Sequence, residues 1–172
     1  MQRPQPDEYA EQHARYVALV EGDDVLGALE TQSAEVQRLF SNIDETRAAQ
    51  RYAEGKWSVK EVIGHITDAE RVLAYRALAI ARGEQNPLPA FDENSYNENA
   101  KFDAWRIGDL AENFALVRRS TIVMLRNLPE EAWDRRGIAN QFTVSTRGIA
   151  FTIAGHERHH MKVLREKYGL QP

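Results

Sequence analysis

A chain of 172 residues with a formal net charge of −4 has the length of one domain and can bury a sizeable core. Its acidic balance argues against a general nucleic-acid binder, which needs a basic stripe to neutralise phosphates, and no apolar run approaches a membrane span. The absence of cysteine excludes disulfides, thiolate metal ligands and a cysteine nucleophile. Any metal must then be held by histidine or carboxylate, ligands that suit Zn, Ni, Mn or Fe, and any reacting thiol must come from a small molecule.

Taken in chain order, residues 1–22 read as an N-terminal arm to a single domain spanning 1–172. Pro4 and Pro6 work against early helix, while Tyr9, Tyr16, Val17, Leu19 and Val20 offer apolar contacts to the body. The stretch from Met1 to Glu8 has no apolar segment of the secretory type, so a cytoplasmic location is expected. Asp23 or Asp24 supplies an N-cap for a first long helix, about 24–41, in which Val25, Leu26, Leu29, Val36, Leu39 and Phe40 recur at helical spacing. Ser58-Val59-Lys60-Glu61 is a capping box that opens a second long helix. Val62, Ile66, Ala69, Val72, Leu73, Ala77 and Ile80 form its stripe, and Gly83 ends it.

From Gly83 to Arg106 the apolar period is lost among prolines, acids and asparagines. Loops longer than about 12–15 residues usually have a topological or functional cause. This one is long enough to return along the second helix and start a third parallel to it, with Phe91, Tyr96, Phe102 and Trp105 pinning the strap. A mobile lid is the other reading. The third helix is expected over about 109–127, followed by a short helix at Pro129–Trp133. A turn at Gly137 and a short extended piece at Phe142-Thr143-Val144 then lead to a fourth long helix from about Ser145 to Gly169. The pattern predicts an all-α four-helix bundle.

Chemistry concentrates in Ala154-Gly155-His156-Glu157-Arg158-His159-His160, which holds three of the five histidines. His156 and His160, four apart, leave the same helix face near the middle of an apolar arc with Ile149, Ile153, Val163 and Leu164. On residues alone that pair suits one metal ion and two core histidines satisfied by backbone carbonyls about equally. A third ligand is available in His65, on the flank of the second helix's stripe. His159 leans toward the rim. Glu61 and Asp68, one turn either side of His65, are candidates to fix its tautomer, with a helix cap and a solvated acid as the alternatives. Arg71, Tyr75 and Arg76 follow, the arginines being either anion ligands or surface charges. His156-Glu157-Arg158-His159-His160 also satisfies the zinc-protease pattern. Glu157, however, should point about 100° from His156 and away from the apolar arc. Only twelve residues follow His160, so no downstream third ligand is expected.

Tyr52-Ala53-Glu54-Gly55-Lys56-Trp57-Ser58-Val59-Lys60-Glu61-Val62-Ile63-Gly64-His65, with Asp68, Glu70 and Arg71 after it, resembles the second helix of the DinB superfamily, including its YfiT-like metal-dependent hydrolases. The segment from Ala154 to His160 resembles the other half of that family's metal site, and Pro87-Leu88-Pro89-Ala90-Phe91-Asp92 its connection. The resemblance runs over roughly residues 24–168. It implies an up-down-down-up bundle with a long crossover between helices two and three, and a divalent metal on His65, His156 and His160, with Zn or Ni favoured over Mn or Fe. It also implies an enzyme of small molecules, foremost a low-molecular-weight-thiol-dependent S-transferase acting on electrophiles, and a possible homodimer. A metal-dependent hydrolase and a non-catalytic metal-binding module are the competing functions. Neither a nucleic-acid nor a membrane partner is expected, and catalytic residues beyond the ligands are not identified.

Overall fold

The computed structural model describes residues 2–171. Its helices are α1 (Ala14–Val17), α2 (Val25–Ser41), α3 (Glu45–Ala48), α4 (Val59–Ala81), α5 (Glu93–Ala100), α6 (Ile107–Arg126) and α7 (Thr146–Tyr168). Strands β1 (Arg136–Ala139) and β2 (Phe142–Ser145) precede α7. The four long helices of the sequence are α2, α4, α6 and α7. Three begin at side-chain caps. Asp24 accepts from the Gly27 N–H, Ser58 and Glu61 close the reciprocal box, and Ser145 accepts from the Gly148 N–H. α7 stops at Gly169, whose left-handed φ of 65° ends a helix at little steric cost.

Contacts between side chains set the helix directions. Arg71 of α4 reaches Asn113 of α6, and farther along both helices Leu78 shares a cavity wall with Met124, so α4 and α6 are parallel. α2 opposes α6, because Phe40 packs on Phe114 at 5.9 Å while Glu30 pairs with Arg126 at the other end. α2 and α7 advance together, from Gln32 on Ala154 to Glu35 on Arg165. The result is the up-down-down-up bundle, with a crossover strap between α4 and α6. No helix among the described residues is long and apolar enough to cross a membrane.

The strap differs in detail from its sequence reading. It contains α5, capped by Asp92 accepting from the Asn94 and Ser95 N–H groups. Only Asn97 of that helix is buried, which is why no apolar period announces it. Of the four expected aromatic pins, Phe102 is buried and Phe91 half-buried, but Tyr96 and Trp105 are exposed. Phe102 packs so closely on α4 that a Cβ at Gly64 would lie 2.3 Å from its ring. Other corrections are local. Pro129–Trp133 forms only a 3-10 turn, Glu130–Ala132. Gly137 sits inside β1 rather than in a turn, and the two-residue turn falls at Asn140 and Gln141, both at positive φ.

From residue 2 onward the arm packs along the body, with α1 against α7. Pro6 opens a 3-10 turn instead of preventing one, and Val17 and Val20 are buried. At Gly155 the arm's backbone comes so near that a Cβ would lie 1.9 Å from the Tyr16 carbonyl oxygen. No other residue fits there without moving the arm.

The interior is divided. One apolar cluster holds Leu29, Leu73, Ile80, Leu125 and Ile153, and the other Val36, Ile66, Phe114, Met161 and Leu164. Between them lies a buried polar layer of Gln32, Glu70, Arg118, Thr121 and Glu157. Arg118, fully buried on α6, donates from Nε and one terminal nitrogen to Glu70 of α4 at 2.8–3.0 Å. Its other terminal nitrogen donates to the Leu29 carbonyl of α2 at 3.4 Å and stands 3.9 Å from Glu157 of α7. Arg118→Met should lower stability by about 3–5 kcal/mol, since it leaves buried carboxylates without their counter-charge. Urea-induced unfolding followed by circular dichroism measures this, and a change below about 1 kcal/mol would show that the layer is dispensable.

Candidate metal centre

The capped start of α4 carries His65 into the interior, and α7 presents His156 and His160 one turn apart. His65 and His156 are buried and His160 half-buried. The Nε2 atom of His156 lies 3.1 Å from that of His65 and 3.1 Å from that of His160. Ligand atoms of all three fall within 4.8 Å of one another, and no carboxylate joins the group among the described residues.

Three imidazoles brought together in this way fit one divalent ion. Nitrogens bound to a common ion at about 2.0–2.1 Å, with angles of about 90–110°, lie about 2.9–3.4 Å apart. The 3.1 Å separations fall inside that range. Electrostatics agree, because a histidine ligates only when neutral. Burial, assisted by the nearby His159, lowers the His65 pKa to about 4. Burial with His65 beside it takes His160 to about 2, and His156 falls well below its ordinary value for the same reasons. Aromatic rings wall the cluster: Trp57 lies 4.8 Å from the His65 ring and Tyr16 meets His156 edge-on at 5.3 Å.

The other sequence candidates separate clearly. His159 stays outside the triad, half-buried against the Tyr16 ring at 5.4 Å. Glu61 is not a partner of His65. Its carboxylate accepts from the Ser58 N–H and pairs with Arg51. Asp68 faces Arg71 at 3.2 Å, and burial raises its pKa against that arginine. Arg71 and Tyr75 are exposed, whereas Arg76 is buried. Glu157 turns away from the histidine face, as its helix position requires. It faces the buried Arg118, and burial raises its pKa to about 7.

Two cavities reach the cluster through different histidines. One, about 300 Å³, has His160 in its wall with Tyr52, Trp57 and Tyr168. The other, about 390 Å³, has His156 with Tyr16, Arg76 and Phe91. The sequence reading missed the parts played by Tyr16, Trp57 and Tyr168. Each is an aromatic in or beside a loop, and only Gly155, which gives the Tyr16 backbone its close approach to α7, leaves a local trace.

Comparisons with known proteins agree with this architecture. A protein of Oceanobacillus iheyensis named a putative metal-dependent hydrolase is 25% identical over 139 residues, 79% of each chain. The structure of YfiT from Bacillus subtilis, described as a probable metal-dependent hydrolase with an unusual four-helix bundle topology, superposes with a TM-score of 0.75 at 16% identity. That match covers 98% of this chain and 94% of YfiT. A mycothiol-dependent maleylpyruvate isomerase gives a TM-score of 0.68 at 18% identity, covering 86% of this chain and 60% of that one. At under 25% identity these two structures speak to fold alone. The model of the DinB superfamily matches residues 28–164, and the chain belongs to that superfamily.

Proposed function

We propose that His65, His156 and His160 hold one divalent transition metal through Nε2, with Zn or Ni favoured, and that the protein is a cytoplasmic enzyme transferring a small-molecule thiol to a small electrophile. The observation that carries this reading is the pair of separate cavities, each with one histidine of the triad in its wall. Two pockets, each bordered by a different histidine of the triad, suit two substrates. When bound, the ion supplies Lewis acidity, lowering the pKa of a thiol or, in a hydrolase, of water. A free thiol starts near pKa 8.5 and water near 15.7, so the thiol needs less assistance from protein bases. That suits a cluster without an adjoining carboxylate. The chain, free of cysteine, would borrow its nucleophile. Three protein ligands also leave a position for a substrate, where a structural site would close with four.

Metal-dependent hydrolysis is the second reading, favoured by the names of the Oceanobacillus relative and of YfiT. Assays of the zinc- and nickel-loaded protein with maleimides, epoxides and esters, each with and without a panel of small thiols, separate the two. Thiol-dependent loss of the electrophile, faster than the same mixture without protein, is expected. Ester cleavage at equal rate with and without thiol would support the hydrolase instead.

The ligand assignment has its own test. His65→Ala, His156→Ala and His160→Ala should each reduce bound metal by at least about tenfold in elemental analysis after dialysis, while His159→Ala keeps it. Full metal content in His160→Ala, with loss in His159→Ala, would overturn the register of α7.

The depressed histidine pKa values also set a pH dependence for the metal-free protein. Below about pH 6.5 the unfolded chain binds protons that the folded rings refuse. Stability should therefore be full above that value and decline as pH falls toward 4, the folded pKa of His65. Thermal melts across pH 4–7.5 check the sign, with His65→Ala showing a shallower decline.

A further inference from the structure

The cavity beside His156 is lined by the arm, α4, the strap and α7, and its charge is unbalanced. Arg76 enters from α4 and Arg15 from the arm, while Glu93 is the one carboxylate among the lining residues. Arg76 is only 6% exposed. A guanidinium so buried ordinarily has a carboxylate beside it, because an unpaired buried charge is costly. Arg118 illustrates the rule with Glu70 and Glu157. Arg76 departs from it. One terminal nitrogen donates to the Pro89 carbonyl at 2.6 Å, and the guanidinium lies 5.7 Å from the Phe91 ring centroid. These contacts hold the side chain without neutralising it. Arg15 is likewise set by a neutral neighbour, donating to the Tyr16 hydroxyl at 2.8 Å and lying over that ring at 4.7 Å. Arg71, on the same helix as Arg76, is by contrast exposed and paired with Asp68.

We propose that this cavity binds a small singly charged carboxylate, with Arg76 as the buried anchor and Arg15 contributed by the arm. Two guanidiniums against one Glu93 leave a single positive charge to be matched, which favours a monoanion over a phosphate dianion. The planar fork of arginine suits a carboxylate. A volume near 390 Å³ lies at the lower end of small-molecule pockets, about 300–1,000 Å³. With His156 in the same wall, the carboxylate belongs to a reactant at the proposed metal centre. Its catalytic meaning rests on that reading, but its binding does not.

Calorimetric titration of zinc-loaded and metal-free protein with benzoate, N-acetylalanine, N-acetylcysteine, benzamide and inorganic phosphate tests the assignment. The carboxylates should bind, with benzamide and phosphate weaker by about tenfold or more. Arg76→Gln should weaken benzoate by about tenfold, Arg76→Lys should recover part of the loss, and Arg71→Gln should change nothing. Circular dichroism checks that Arg76→Gln folds. If it does not, Arg15→Gln, at an exposed position of the arm, carries the test, with a loss of about threefold or more expected. Equal binding of benzamide and benzoate, tighter binding of phosphate, or wild-type affinity in the folded Arg76 or Arg15 variant would overturn the proposal. Equal binding of N-acetylalanine and N-acetylcysteine would support a thiol-free reactant as the carboxylate's source. A preference for N-acetylcysteine confined to the zinc-loaded protein would support the thiol reactant. Arg76-dependent binding in a His65→Ala protein that retains no zinc upholds this pocket whatever becomes of the metal chemistry. Intact zinc binding without any Arg76 dependence refutes the pocket and leaves the metal centre standing.

Discussion

One guanidinium joins all four long helices. Arg118 leaves α6 and meets Glu70 of α4, the Leu29 carbonyl of α2 and, at longer range, Glu157 of α7. Hydrophobic burial is non-directional and tolerates helices that slide or rotate. A charge in a dry interior does not, because its donors must find acceptors at fixed positions. Hydrogen bonds from one planar group to separate helices therefore restrict the axial offset of each against the others. Apolar clusters above and below supply the bulk of the stabilisation, and the polar layer between them sets the register in which it is collected.

That register matters to the histidines because they sit at the same level. His156 immediately precedes Glu157, and His65 lies little more than one turn before Glu70. Slipping α4 against α7 by one residue would move their Nε2 atoms by about 1.5 Å along the axis, about half the present 3.1 Å separation. The arm adds a second restraint. Its backbone seats against Gly155, next to His156, and places the Tyr16 ring edge-on to that imidazole. Packing tight enough to forbid a Cβ on one side, and ionic pairing on the other, hold the histidine-bearing turn of α7 between them.

Much of this was legible in the sequence, for identifiable reasons. Helices α2, α4, α6 and α7 carry their own apolar periods, and Asp24, Ser58 and Ser145 mark three of their starts. The length of the strap implied the crossover, and the i, i+4 spacing of His156 and His160 implied convergence on one face. What stayed hidden depends on tertiary contact. α5 is nearly all polar and is held by Asp92 and by Asn97, whose side chain donates to the Glu61 carbonyl, so no periodicity betrays it. Tyr96 and Trp105 looked like anchors because aromatic residues usually are, yet only Phe102 has the glycine opposite it that close approach requires. Arg71 and Arg76 could not be told apart by helical spacing. One turn and a fraction separates them on α4, and the difference in burial comes from the strap, whose Pro89 and Phe91 cover Arg76 and leave Arg71 in solvent.

Glu157 shows how a local motif can be satisfied while its usual chemistry is not. The His156-Glu157-Arg158-His159-His160 pattern would make Glu157 the base of a protease, which requires its carboxylate to share the metal's cavity. A residue one position along a helix is turned by about 100°, and here that rotation carries Glu157 out of the histidine face and into the layer organised by Arg118. One of its oxygens is buried without a hydrogen-bond partner, and its pKa is raised to about 7 by burial against the pull of Arg118. An acid in that setting serves the packing of four helices, where it faces Arg118. The same turn thus divides its labour by angle: the imidazoles of His156 and His160 face α4 and His65, while the carboxylate faces the charge that fixes where α4 and α7 stand.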